Sequence, residues 1–190
     1  MARRVAAVCW LVSAAAYVVA EAVAAAGMPG YSYATDIIST LGQPAWSPRA
    51  AWLNGALLVQ AVAFPLGAWL VAGRARIRSA VLLRVCAAGN GVGNVLVAMV
   101  PTGTGSPWHV VGAGIAIVGG NLTAIAAAFA WSRGRPSWAA LATGVTGLAG
   151  LAILLAGVPP SGAWERVSVY AIYAWQVGVG VALLVRARQR

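Results

Sequence analysis

Charged side chains are scarce in this 190-residue chain. Only 8% of its residues are charged, against roughly 25% in soluble globular proteins. Lysine is absent, so all 13 basic residues are arginines, and the chain has three acidic residues and one histidine. Hydrophobic residues make up 61% of the sequence, and the mean hydropathy is +0.82. This composition excludes an ordinary soluble domain.

The scarcity of histidine and cysteine excludes several kinds of site. One histidine cannot supply bis-histidine haem ligation, and no spacing with carboxylates indicates a zinc site. Cys9 and Cys86 predict buried thiols rather than a disulfide framework. Neither a phosphate-binding Gly-Lys-Ser/Thr loop nor a Gly-x-Ser-x-Gly nucleophile motif occurs. We therefore predict no metal and no cofactor.

Apolar runs of about 20 residues, long enough to cross a ~30 Å hydrocarbon core, recur along the chain. They predict an all-α fold, a single domain over residues 1–190 with six transmembrane helices. The expected helices are Val5–Ala26, Ala50–Ala72, Ala80–Val100, Trp108–Trp131, Trp138–Ala156 and Val167–Val185. After the first span, residues 35–42 predict a short extracytoplasmic helix, capped by Thr35 or Asp36 and ended by Gly42.

The arginines are unevenly distributed between the two sides of the expected bundle. Eleven lie near the N-terminus, around the second and fourth connections, or in the C-terminal tail, and only Arg49 and Arg166 lie on the opposite side. This bias is the positive-inside rule. It predicts a multi-pass membrane protein with both termini in the cytoplasm. It also explains the net charge of +10 without a nucleic-acid partner.

The ionisable residues other than arginine all lie toward the outer side, and they are the catalytic candidates: Glu21, Asp36, His109 and Glu165. Ionisable groups inside a membrane are costly and often functional. Other polar and aromatic residues are expected to line a ligand pocket with them. These are Tyr17, Asn90, Asn94, Trp108, Arg166, Tyr173, Trp175 and Gln176.

Helical spacing supports a shared pocket. Asn90 and Asn94 lie four positions apart and therefore on one face, although asparagine beside glycine is also typical of close helix packing. Glu165, Tyr173 and Gln176 follow one stripe of the last helix. The pattern indicates a funnel open to the outside, with a polar mouth and an apolar floor. The alternative is that these polar groups only hold the helices together.

Three functions remain open at this point. The first is binding of a lipid or isoprenoid-like amphiphile. The second is a membrane-embedded enzyme acting on such a substrate, terpene-cyclase-like or lipid-modifying, that uses a protonated carboxylic acid and aromatic faces. The third is a proton-coupled small-molecule transporter using Glu21, which would need a homo-oligomer to supply two alternating halves. Ser39, His109 and Asp36 are candidates for a catalytic triad, but no motif supports it.

Two motifs carry a resemblance to a known family. The segment Ile38-Ser39-Thr40-Leu41-Gly42 follows the first span, and Glu165-Arg166-Val167 opens the last one, with His109 starting the fourth. Together they resemble the bacterial integral-membrane family called domain of unknown function 998. The resemblance implies the six-helix fold and a location in the bacterial inner membrane, and it brings no established activity with it.

Overall fold

The computed structural model describes residues 1–73, 75, 77–131 and 135–189, and these contain helices but no β-strand. The six α-helices are α1 Ala2–Ala26, α2 Ala50–Ala72, α3 Ile77–Met99, α4 Trp108–Ala130, α5 Trp138–Leu155 and α6 Ser161–Arg188. A 3-10 helix, η1 Ile38–Gly42, lies between α1 and α2. Each α-helix is long and apolar enough to cross a membrane. The predicted all-α bundle of six spans is therefore confirmed.

The bounds of α1 to α5 lie within three residues of the expected ones, whereas the start of α6 and the short helix after α1 were predicted wrongly. Helix α6 begins at Ser161, directly after Pro160, rather than at Val167. Glu165 and Arg166 thus lie within the helix, and hydrogen bonds to neighbouring elements satisfy their polar groups. The short helix is limited to η1, and neither Thr35 nor Asp36 caps it. The Asp36 carboxylate instead accepts a hydrogen bond from the Ser32 N–H at 2.8 Å.

The helices form a closed ring. Each packs against its neighbour in the chain, α1 packs against α6, and α4 also contacts α6. Consecutive spans alternate in direction, so the bundle has two distinct ends. We call them the carboxylate end, which carries Asp36 and Glu165, and the arginine end, which carries Arg3, Arg135 and Arg186.

An aromatic cluster fills the core between the two ends. The Trp175 ring lies 5.0 Å from that of Trp10 and 5.9 Å from that of Phe64, measured between centroids. The Trp10 indole N–H donates to the Phe64 carbonyl at 3.2 Å. Trp10 and Phe64 are fully buried. Trp175, whose depth in the last helix is not that of an interfacial anchor, is therefore a core residue.

Candidate functional site

Arg166 and Glu21 form a buried ion pair between α6 and α1. The Arg166 Nη2 atom lies 3.0 Å from Glu21 Oε1, and Nε donates to the same oxygen at 3.1 Å. The two residues are only 6% and 2% exposed. The Tyr170 hydroxyl donates to the other carboxylate oxygen at 2.9 Å. Such a pair tolerates burial because hydrogen bonds satisfy both charges. The ion-pair partner of Arg166 is thus Glu21 on α1 and not the neighbouring Glu165.

The Arg166 guanidinium also binds the segment that follows α1. Its Nη1 donates to the carbonyls of Tyr33 at 2.6 Å, Asp36 at 2.9 Å and Gly162 at 3.1 Å. Its Nη2 donates to the Tyr31 hydroxyl, and the guanidinium lies over the Tyr33 ring at 4.6 Å. We call this group the arginine clamp: Glu21, Tyr31, Tyr33, Arg166 and Tyr170. The clamp fastens residues 31–36 to α1 and α6.

Tyr31 stays neutral within the clamp. Burial raises the pKa of its hydroxyl to about 12, although the hydrogen bond from Arg166 and that residue's positive charge oppose the shift. The hydroxyl therefore keeps its proton at ordinary pH. It accepts from Arg166 while donating to the Ile37 carbonyl at 3.2 Å, so it connects the clamp to the start of η1.

Glu165, next to Arg166 in sequence, has a different partner. Its Oε2 atom accepts a hydrogen bond from the Ile38 N–H, the first amide of η1. A carboxylate at a helix N-terminus satisfies an amide that has no partner within the helix. The two sequence motifs, residues 38–42 and 165–167, are thus in direct contact. Asp36 contributes its backbone carbonyl to Arg166 rather than its carboxylate.

A cavity of about 70 Å³ lies at the carboxylate end, enclosed by η1 and by every α-helix except α5. We call it the carboxylate-end cavity. Its polar lining consists of Tyr17, Ser39, Asn54, Gln60, Asn90, Asn94, His109, Glu165 and Tyr173. The remaining lining is apolar, and includes Leu53, Leu57, Val97, Ile117 and Ile172.

Two polar groups of the lining have unused hydrogen-bonding capacity. His109 Nδ1 lies 2.7 Å from the Val100 carbonyl. Because a carbonyl only accepts, Nδ1 must carry the proton. Nε2 is then the ring nitrogen that takes no part in this hydrogen bond. The Tyr17 hydroxyl is buried without a hydrogen-bond partner in the described structure, in a residue only 1% exposed. Unpaired buried polar atoms are rare and mark positions where a ligand or water would bind.

The amides around the cavity mainly join helices. Asn90 Nδ2 donates to the Ala116 carbonyl at 2.8 Å, and Asn94 Nδ2 donates to the Asn90 carbonyl at 2.8 Å. Gln60 and Gln176 exchange two amide hydrogen bonds of 2.9 and 3.2 Å. Of this second pair, only Gln60 lines the cavity. Asn90 therefore joins α3 to α4 in addition to its position on the cavity wall, whereas Asn94 bonds only to Asn90 within α3.

The structure divides the predicted site residues into two groups. The cavity brings together Tyr17, Asn90, Asn94, His109, Glu165 and Tyr173. The others lie outside its lining: Glu21 and Arg166 in the clamp, Asp36 beside it, Trp108 exposed, Trp175 in the aromatic core and Gln176 behind Gln60.

Some cavity residues were absent from the predicted site. Leu53, Leu57 and Gln60 follow the helical face spacing of four and three positions, and this is a signal that the sequence carried. Asn54 lies beside that face and donates to the Gly42 carbonyl at 2.9 Å. Ser39, which the sequence offered only as a candidate of a catalytic triad, also lines the cavity from η1. Within the described ranges, no cluster of three or more His, Cys, Asp or Glu side chains is placed to bind a metal ion.

Glu165→Ala is expected to lower the free energy of unfolding by about 1 kcal/mol, as losing an N-terminal helix cap does. The reason is that the Ile38 N–H loses its acceptor. Glu165→Gln keeps a carbonyl acceptor and should cost less than half as much. Thermal unfolding in detergent, with hydrogen exchange at the Ile38 amide, measures both effects. Equal losses in the two variants would mean that the charge, and not the hydrogen bond, stabilises η1.

Six apolar helices closed into a ring, with polar groups gathered inside one end, define a multi-pass helical membrane protein. Residues 11–182 match the family model described as "Protein of unknown function (DUF998)". The chain therefore belongs to the DUF998 family, as its two motifs predicted. No curated protein and no solved structure matches it.

Proposed function

We propose that the protein binds a lipid or isoprenoid-like amphiphile in the carboxylate-end cavity. The supporting observation is that His109, Glu165 and the unpaired hydroxyl of Tyr17 lie on one space whose other walls are largely apolar. A mostly apolar lining with a few converging polar groups is typical of small-molecule sites. The polar head of the ligand would bind near His109 and Glu165, and its chain would contact Leu57, Val97 and similar residues.

The size of the cavity favours a slender ligand. Its volume is about 70 Å³, whereas an apolar cavity that binds benzene measures about 150 Å³. A small head or part of a single chain fits this space without rearrangement, and a fused ring system does not. A longer ligand would keep the rest of its chain outside the cavity, in the surrounding hydrocarbon.

Catalysis on such a ligand is the second candidate. His109, Glu165 and Ser39 line the same cavity, so an imidazole and a carboxyl group would both face a bound molecule. A triad with Asp36 is not favoured, since that carboxylate binds the Ser32 N–H outside the cavity. Transport through Glu21 is not favoured either, because Arg166 and Tyr170 already occupy its carboxylate.

The arginine bias supports an orientation for the site. By the positive-inside rule, the arginine end would face the cytoplasm of a bacterial inner membrane, with both termini on that side. The carboxylate-end cavity and η1 would then lie toward the outer side. A ligand would enter from the outer leaflet or from beyond it.

Filling the cavity tests the proposal. Ala113 lines it, and Ala113→Leu places three additional carbon atoms into its space. Binding of farnesol, measured by native mass spectrometry of the detergent-solubilised protein, is expected to weaken roughly tenfold or more, the equivalent of about 1.4 kcal/mol. Ala88→Leu, on an exposed position of α3, is the matched control and should bind normally.

Further outcomes separate the candidate functions. Equal farnesol binding by Ala113→Leu, Ala88→Leu and the unmodified protein would contradict the amphiphile site. If His109→Gln retains binding but abolishes a product that the unmodified protein forms from the bound molecule, the enzyme candidate is supported instead.

A further inference from the structure

A second and larger cavity opens at the arginine end. It has a volume of about 620 Å³ and lies mainly between α4, α5, α6 and the start of α1. We call it the arginine-end cavity. None of its lining residues also lines the carboxylate-end cavity. It is therefore a separate space, and an argument about it does not depend on the function proposed above.

Three arginines on three different elements line this cavity: Arg3, Arg135 and Arg186. The chain has only three acidic residues, and all three are engaged at the carboxylate end. None of the three acidic side chains is therefore available to neutralise these arginines. The positive-inside rule explains why arginines lie at this end. It does not explain why three of them converge on one cavity, while Arg78 at the same end lies outside it.

Apart from Ser137 and Thr143, the rest of the lining is apolar, and it reaches deep into the bundle. Val71, Val179 and Leu183 contribute to it, and Trp175 also lines it. Arg186 and Trp175 are eleven positions apart on α6, which corresponds to ~16 Å at 1.5 Å per residue. That depth is about half of a ~30 Å hydrocarbon core, the thickness of one leaflet. The cavity therefore has the length and polarity of one lipid in the leaflet.

An unpaired donor supports the view that something binds in this space. Trp175 is 3% exposed, and its indole N–H has no hydrogen-bond partner among the described residues. Trp10, which packs against it, does have one, the Phe64 carbonyl. Buried donors without an acceptor are rare. Trp175 is also a lining residue of the cavity, so this unpaired donor belongs to a side chain on the cavity wall.

We propose that the arginine-end cavity binds an amphiphile with an anionic phosphate head, which contacts Arg3, Arg135 and Arg186 while one apolar chain extends along α6 toward Trp175. Arginine suits this role because its planar guanidinium makes paired, charge-assisted hydrogen bonds to phosphate oxygens. The volume lies within the range of about 300–1,000 Å³ that is typical of ligand sites. The same head chemistry occurs in membrane phospholipids and in soluble phosphates, and the apolar depth favours the lipid.

Native mass spectrometry of the full chain in non-ionic detergent can separate these sources. The probes are dioleoyl phosphatidylglycerol, dioleoyl glycerol, which has the same chains without the phosphate, and inorganic phosphate. Phosphatidylglycerol is expected to bind at least roughly tenfold more tightly than either, since each charge-assisted contact is equivalent to about a factor of ten. Equal binding of dioleoyl glycerol would overturn the phosphate site, and equal binding of inorganic phosphate would overturn the apolar-chain part.

Matched variants test the location. Arg186→Gln should weaken phosphatidylglycerol binding roughly tenfold, whereas Arg78→Gln should not.

Gly178 lines the cavity and has no atom within 4 Å of where a Cβ would lie, so Gly178→Leu should block the lipid chain without straining the fold. Gly114 is equally open but lines neither cavity, and Gly114→Leu should bind normally. Equal effects within either pair would overturn the proposal, because they would indicate attraction to surface charge or a general disturbance.

Discussion

Arg166→Gln is expected to lower the free energy of unfolding by about 3–5 kcal/mol, the usual cost of removing one partner of a buried ion pair. The carboxylate of Glu21, in a residue only 2% exposed, would keep a hydrogen bond from Tyr170 alone. The carbonyls of Tyr33 and Asp36 would also lose their donor. Thermal unfolding of the protein in detergent, followed by circular dichroism, measures this loss.

Companion variants identify which interaction causes the loss of stability in Arg166→Gln. Glu21→Gln should be milder than Arg166→Gln, because the guanidinium keeps Tyr31 and three backbone carbonyls as acceptors. The double variant Glu21→Gln/Arg166→Gln should be more stable than Arg166→Gln alone. The difference is the part of the lost stability that comes from leaving the Glu21 carboxylate buried without its partner. Arg49→Gln is the matched control at the same end. Its bond to the Val23 carbonyl is exposed, so the change should stay within about 0.5 kcal/mol. If Arg166→Gln and Arg49→Gln unfold at the same temperature, the clamp does not hold the fold.

The number of helices was predictable, but the pairing within the clamp was not. Hydropathy identifies spans because each one must satisfy its own backbone in the membrane, and all six were found. Glu21 and Arg166 are 145 residues apart. Their contact depends on ring closure between α1 and α6, which span length does not determine. From the sequence alone, Glu165, which is next to Arg166, was as plausible a partner for it as Glu21.

The face of a helix was easier to predict than the depth of a cavity. The stripe on α6 correctly placed Glu165 and Tyr173 on one wall, yet Gln176, on the same stripe, lies beyond the floor and binds Gln60 and Ser13. The arginine-end cavity left no signal in the sequence. Its walls contain many alanines, and an alanine beside a cavity has the same sequence pattern as an alanine in a close helix contact.

Gly93→Leu is expected to destabilise the protein by about 3 kcal/mol, in the upper part of the range for overpacked interiors. A Cβ at Gly93 would overlap the backbone of Gly112 and Ala116 on α4. The obstacle is backbone rather than a flexible side chain, so the two helices must separate. Small residues allow this approach between membrane helices. Separation would also break the hydrogen bond from Asn90 to the Ala116 carbonyl, and farnesol binding in the adjacent carboxylate-end cavity should weaken with it.

Gly114→Leu provides the control for this prediction. Gly114 lies on α4 close to the same interface, but no atom lies within 4 Å of where its Cβ would be. The substitution removes a poor helix former, so stability should be unchanged or slightly higher. Gly93→Ala should fall between the two leucine variants, because even a single methyl group meets the backbone of α4. Unfolding temperatures that are the same for Gly93→Leu and Gly114→Leu would show that α3 and α4 are not held at backbone contact, and the adjoining wall of the carboxylate-end cavity would then lose its structural basis.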